Sequence, residues 1–211
     1  MALQSGEKLP MFIGHVWSKQ KSRWTLLGLR LLAFLAAAAA TLVMVLNKQT
    51  KTFVVATIGT TPVNLTLTAK FHHTPAFVFF AIANGLVSIH NLVMIMVDLL
   101  GSKFDYKGFQ LPMIASLDML NLALVSGGAN AAAFMAELGK NGNSHARWDK
   151  ICDKFGAYCD RGAGALIASF LALALMLVIS FLSILNLKLK KSACEVCEHS
   201  LEPDPVSSVR L

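Results

Sequence analysis

Apolar residues gather in four long blocks, about 25–46, 76–100, 111–136 and 163–187, with polar segments between them. Each block reaches the roughly 20 residues that an α-helix needs to cross a hydrocarbon core about 30 Å thick. The pattern predicts an all-α membrane protein, an antiparallel bundle of four transmembrane helices. The first block follows a basic lead over 1–24, and its apolar run exceeds a signal-peptide core, so it reads as an uncleaved first span. The organisation expected is therefore a lead over 1–24, a four-span membrane domain over 25–187 and a disordered tail over 188–211.

Punctuation between the blocks refines this picture. In the first loop, TFVVATI (52–58) is rich in β-branched residues, Gly59-Thr-Thr-Pro62 breaks the pattern, and VNLTLT (63–68) alternates apolar with polar residues. A short β-hairpin is one reading and an irregular loop is the other. Thr74-Pro75 supplies a cap residue and then a first-turn proline for span two. Leu111-Pro112 similarly puts a proline at the start of span three, and the glycine pair Gly162 and Gly164 marks the start of span four. Pro203 and Pro205 in a polar tail predict disorder there.

Two polar positions interrupt the apolar pattern. Arg30 is the only charge in LLGLRLLAFLAAAAATLVMVL (26–46), and Asp118 is the only charge in PMIASLDMLNLALVSGGANAAAF (112–134). A charge inside hydrocarbon costs at least about 2.5–3.5 kcal/mol on insertion scales, so it should face protein and find a partner. Both spans run away from the same boundary, and about 1.5 Å of rise per residue puts the two charges roughly 8 and 10 Å inside it. An ion pair between Arg30 and Asp118 follows; the alternative is an Arg30 that reaches back to the headgroups beside a protonated Asp118. Small residues repeat every four positions as Ala123, Gly127 and Ala131 on span three, and as Gly164, Ala168 and Ala172 on span four. That spacing lets helices approach closely, within one bundle or between copies.

Composition agrees with a membrane chain: of 211 residues 55% are hydrophobic and 15% charged, and the mean hydropathy is +0.58. The net charge of +7 does not form one patch, because the bases flank the spans, so nucleic acid is not an expected partner. The lead, the second loop and the tail carry ten Lys/Arg against eight in the first and third loops, a bias toward cytoplasmic termini. Two loop features lean the same way. Cys152 and Cys159 in WDKICDKFGAYCD (148–160) are spaced for a short-loop disulfide in an oxidising compartment, with two unpaired thiols as the alternative. Asn64-Leu65-Thr66 is an N-glycosylation sequon, usable only in the secretory lumen.

Catalytic chemistry is thin. His90 and Asn91 lie within span two with no nucleophile near them in sequence, and His90 reads as a packing residue. His72-His73 lacks a third ligand at a recognisable spacing, so neither a metal nor another cofactor is expected. Cys194 and Cys197 form one CxxC beside a basic stretch, which suits palmitoylation better than zinc or redox chemistry. Asn84, His90, Asn91, Asp118, Asn121 and Asn130 are the residues that a small transporter or channel would have to use.

Four spans with Arg in the first and Asp in the third resemble the Casparian strip membrane domain protein family of plants, itself related to the MARVEL tetraspan proteins. The resemblance runs from about residue 24 to 187. RLLAFLAAAAATLVM resembles the family's first span, TAKFHHTPAFVFFAIANGLVS its first-loop exit and second span, and WDKICDKFGAYCDR its second extracellular loop. Members that build the root barrier carry a Phe-rich first-loop signature with an acidic start, which 47–74 lacks. The chain therefore resembles a CASP-like protein of the first subgroup. The resemblance implies a non-enzymatic, multi-pass plasma-membrane scaffold with both termini cytoplasmic. It would form homo- and heterodimers or larger assemblies with CASP-like chains, present its loops to extracellular wall-associated proteins, and hold Arg30, Asp118, Cys152 and Cys159 at family positions. The rival readings are the transporter and, last, a claudin-type adhesion protein.

Overall fold

A computed structural model describes the backbone of residues 8–100 and 110–199, and the side chains of 23–57, 59–100 and 112–188. Four long helices dominate: α1 (Lys8–Val45), α2 (Pro75–Leu100), α3 (Gln110–Asn141) and α4 (Gly156–His199). Strands β1 (Lys48–Ile58) and β2 (Thr61–Lys70) and a short 3-10 turn, Phe71–His73, join α1 to α2. All four helices are long and apolar enough to cross a membrane. At about 1.5 Å per residue α2 alone spans about 39 Å.

Several boundaries differ from the sequence reading. The lead expected over 1–24 is helical from Lys8, because its one proline, Pro10, falls in the first turn where no backbone bond is lost. The third helix outlasts Ala136 and stops at Asn141, before Gly142, whose φ of +67° is the left-handed conformation that ends a helix. The fourth starts at Gly156, so Gly162 and Gly164 lie inside it. It also runs through the residues expected as tail, to His199, since no proline intervenes before Pro203. Residues 200–211 lie outside the described residues. Span two starts where expected: Pro75 is its first residue, and the Thr74 carbonyl accepts from the amides of Phe77 and Val78 at 2.9 and 3.2 Å.

The helices pack as a ring in chain order, each against the next and α4 against α1. That leaves α1 diagonal to α3 and α2 diagonal to α4. The interior is built from small side chains. Along α1, Ala33, Ala36, Ala37 and Ala40 point inward, whereas Leu31, Leu32, Leu35 and Leu42 point out. Water is not the solvent, so large apolar groups gain nothing by burial, and close backbone approach with its dispersion contacts favours small residues inside. A cluster of Ala33, Ala37, Val87, Val125, Ala172, Met176 and Ile179 fills one half of the bundle, and Ala40, Met44, Phe80, Ala132 and Ala165 fill the other. Two helices approach closely at Gly128, where an added Cβ would lie 3.0 Å from Ala83 Cβ and 3.3 Å from Phe80 Cα.

The first loop is an antiparallel hairpin, registered from Lys48↔Lys70 to Ile58↔Thr61 with one bulge between Val54 and Ala56. Gly59, at φ +65°, gives the two-residue turn its left-handed position. One face carries the hydrogen-bonded pairs Thr50–Thr68 and Thr52–Thr66, both at 3.0 Å. A lone two-stranded hairpin is marginal, and this one is anchored at its base. Asn47 Nδ2 donates to the Tyr158 carbonyl at 2.8 Å, Gln49 Oε1 accepts from the Tyr158 amide at 2.7 Å, and Phe53 meets Phe155 edge to face.

Candidate functional site

The polar chemistry of the interior converges on Asp118. Asp118 is six residues past Pro112 and Arg30 seven past Arg23, the starts of the two apolar spans, so both lie about 9–11 Å inside the same boundary. The helices carrying them are diagonal, so the long arginine side chain crosses the bundle axis. Arg30 Nη1 donates to Asp118 Oδ1 at 3.0 Å and Nη2 to Oδ2 at 2.8 Å, a bidentate fork. The two side chains are 1% and 0% exposed, so the guanidinium is held by protein and does not reach back to headgroups.

The remaining two helices complete the site. His90 on α2 places Nε2 2.8 Å from Oδ1, and Ser183 Oγ on α4 donates to Oδ2 at 2.8 Å. A carboxylate accepts about four hydrogen bonds. Here the guanidinium on α1 supplies two, and His90 on α2 and Ser183 on α4 one each, so all four positions are used. An ionised Asp118 requires the proton on His90 Nε2. Arg30 Nε is buried without a partner. The carboxylate ties four helices to one point.

The structure revises one sequence reading here and adds a residue: His90, read as packing, is a direct partner of Asp118, and Ser183, which carries no sequence signal, is another. In an all-apolar span nothing in the sequence separates Ser183 from Ser169 and Ser180; the structure buries all three on α4 and brings only Ser183 to the carboxylate. Asp98 remains apart from the node; its backbone carbonyl accepts from Arg23 at 3.5 Å. Asn84 and Asn91 face the interior, each donating to the carbonyl four residues earlier, while Asn130 faces outward.

The other sequence-selected residues are dispersed. Cys152 and Cys159 form a disulfide with Cα atoms 5.6 Å apart, which ties the 142–155 loop to the first turn of α4. Asn64 is exposed on β2 opposite Val54, and Thr66 of its sequon bonds Thr52. The small-residue rows divide: Ala172 is in the core and Ala168 packs against it, Ala131 is half-buried, and Ala123, Gly127 and Gly164 are exposed. Within the bundle the close approach is made by Gly128 instead. The α4 backbone passes through Cys194 and Cys197, whose side chains lie outside the described residues. Among the described residues no group of three or more His, Cys, Asp or Glu is placed to hold a metal ion.

Comparison with known proteins places this geometry. Residues 19–175 match the Casparian strip membrane protein domain. The chain is 68% identical to CASP-like protein 1B2 of Populus trichocarpa over 90% of its length and 95% of that protein's. It is 69% identical to CASP-like protein 1B1 of Ricinus communis over 74% of its length and 77% of that protein's. With CASP-like protein 1B1 of Arabidopsis thaliana it shares 60% identity over 82% and 88% of the two chains. No solved structure matches.

Proposed function

The chain belongs to the Casparian strip membrane protein domain family, in the first CASP-like subgroup, and on that premise we propose that it is a non-enzymatic plasma-membrane scaffold that associates with itself and with other CASP-like chains. The observation that carries this reading is the outward face of α3. Ala123, Gly127 and Asn130 follow one another at helical spacing, and all three are exposed. Asn130 lies eleven residues from the end of α3 at Asn141, well inside the apolar span. Its amide donates to the Ser126 carbonyl at 2.8 Å, which leaves the side-chain oxygen facing out. A polar atom against lipid is costly, and a second helix that brings a donor removes the cost. The two small residues beside it make room for that helix.

Orientation is part of the reading. Arg23 and Lys188 flank the node end of the bundle, which suits the cytoplasmic leaflet. The disulfide and the Asn64 sequon sit at the opposite end, which suits the exterior and leaves the hairpin available to wall-associated proteins.

Cysteine cross-linking of tagged, co-expressed chains in their own membrane tests the scaffold. Ala123→Cys and Gly127→Cys should give dimers, and Asn130→Leu should weaken association by about 3–17-fold, the equivalent of the roughly 0.6–1.7 kcal/mol an interhelical hydrogen bond contributes. Cross-links that form equally from cysteines on a lipid-facing site of α2, with no effect of Asn130→Leu, would end the reading.

A further inference from the structure

At the hairpin end, α3 and α4 part around a cavity of about 850 Å³. The gap exists because the facing positions are small, among them Ala133, Ala136, Gly156 and Ala163, and its floor is apolar, formed by Met44, Phe77 and Leu166. Its size falls within the roughly 300–1,000 Å³ of pockets that bind small molecules. The rim has opposite chemistry. Lys140 and Arg147 bring positive charge, and Glu137, Asp149, Asp153 and Asp160 bring negative charge. Among the described residues ion pairs occur only at the Arg30–Asp118–His90 node, so these six charges are not paired with one another. Glu137 accepts one hydrogen bond, from Asn141.

The rim loop is held in place. Asn143 and Trp148 exchange two backbone bonds at 3.0 and 2.9 Å, and Asn143 Oδ1 accepts from the amides of His145 and Ala146. Arg147 sits at φ 53°, a left-handed conformation uncommon for a side chain of its size. Such conformations gather at ligand clamps, and this one belongs to a residue on the rim beside the exposed indole of Trp148.

We propose that the cavity binds one phosphocholine lipid of the hairpin-side leaflet, its acyl chain in the apolar throat and its headgroup across the rim. The guanidinium and ammonium of Arg147 and Lys140 match the phosphate. The four carboxylates and the Trp148 ring match the quaternary ammonium, which aromatic faces attract. An anionic headgroup would leave the carboxylates unmatched, and a sterol hydroxyl would leave most of the rim unused. The site goes beyond the scaffold reading and does not depend on self-association.

The test uses the full chain, purified in mild detergent and loaded with diheptanoyl-phosphatidylcholine, with lipid retention read by native mass spectrometry. Diheptanoyl-phosphatidylglycerol is the competitor. The proposal expects a single retained phosphatidylcholine, favoured by about tenfold or more. Trp148→Ala should weaken it about fivefold, and Lys140→Glu with Arg147→Glu at least as much. Ala136→Trp should fill the throat and abolish retention. The rim variants are at exposed positions, and a monodisperse gel-filtration peak with the parent's melting temperature certifies their fold, so they decide the matter even if Ala136→Trp fails to fold. Equal retention of the anionic lipid, retention that none of the variants changes, or no retained lipid would overturn the proposal.

Discussion

Removing the Asp118 carboxylate strands a guanidinium that neither water nor headgroups reach. Asp118→Asn keeps the size of the side chain, but one of its two acceptor oxygens becomes an NH2 that faces Arg30 Nη1 or Nη2. The expected loss is about 3–5 kcal/mol, the usual cost of breaking one partner from a buried pair, read as lower thermal stability and poor monodisperse recovery of a fluorescent fusion. Replacing both, as Arg30→Met with Asp118→Leu, removes the charges together and should recover most of that loss. If the double variant is as damaged as the single, the pair is not the source of the penalty. His90→Ala and Ser183→Ala each delete one hydrogen bond to a charged acceptor, and about 1.5–3 kcal/mol is expected for each. Arg30 and Asp118 are legible in sequence because a lone charge in an apolar run must be answered. His90 and Ser183 are not, since histidine and serine occur within spans without any charge partner, and only the helix rotation shows which way they point.

Between helices, spacing shows that small residues recur but not which of two adjacent glycines touches a neighbour. Gly127 and Gly128 are one residue apart and about 100° apart around α3. Gly128 meets the α2 backbone, so Gly128→Val should destabilise the bundle by about 1–3 kcal/mol through overpacking. Gly127→Ala should be tolerated, because its nearest neighbour is the Phe79 ring at 3.6 Å. Thermal unfolding of the two variants side by side checks the difference; equal behaviour would mean that α2 and α3 are not this close. The spans themselves are readable from block length, whereas their ends are not. Helical propensity carries on past the apolar run, as in ELGKN at the end of α3 and the first turn of α4 inside the disulfide loop. The hairpin is undecided in sequence for a related reason: alternation of five or six residues suits a strand and a loop alike, and its anchorage on Tyr158 and Phe155 is a long-range event.

The whole molecule is a ring of four helices drawn together by one buried anion, open at the hairpin end and closed at the node. The node links residues 88 positions apart in the chain. A ribosome adding about 5–20 residues per second makes Arg30 some 4–18 s before Asp118. During that interval the first helix is in or beside the bilayer with a guanidinium that has no counter-ion, so the nascent chain needs either a delay in lateral release or a temporary escort. A chain halted after residue 100 should therefore be degraded faster than one halted after residue 141, as pulse–chase of the two truncations would show, and Arg30→Leu should remove the difference. The same pair that locks the finished protein makes its opening segment a debtor to one not yet synthesised.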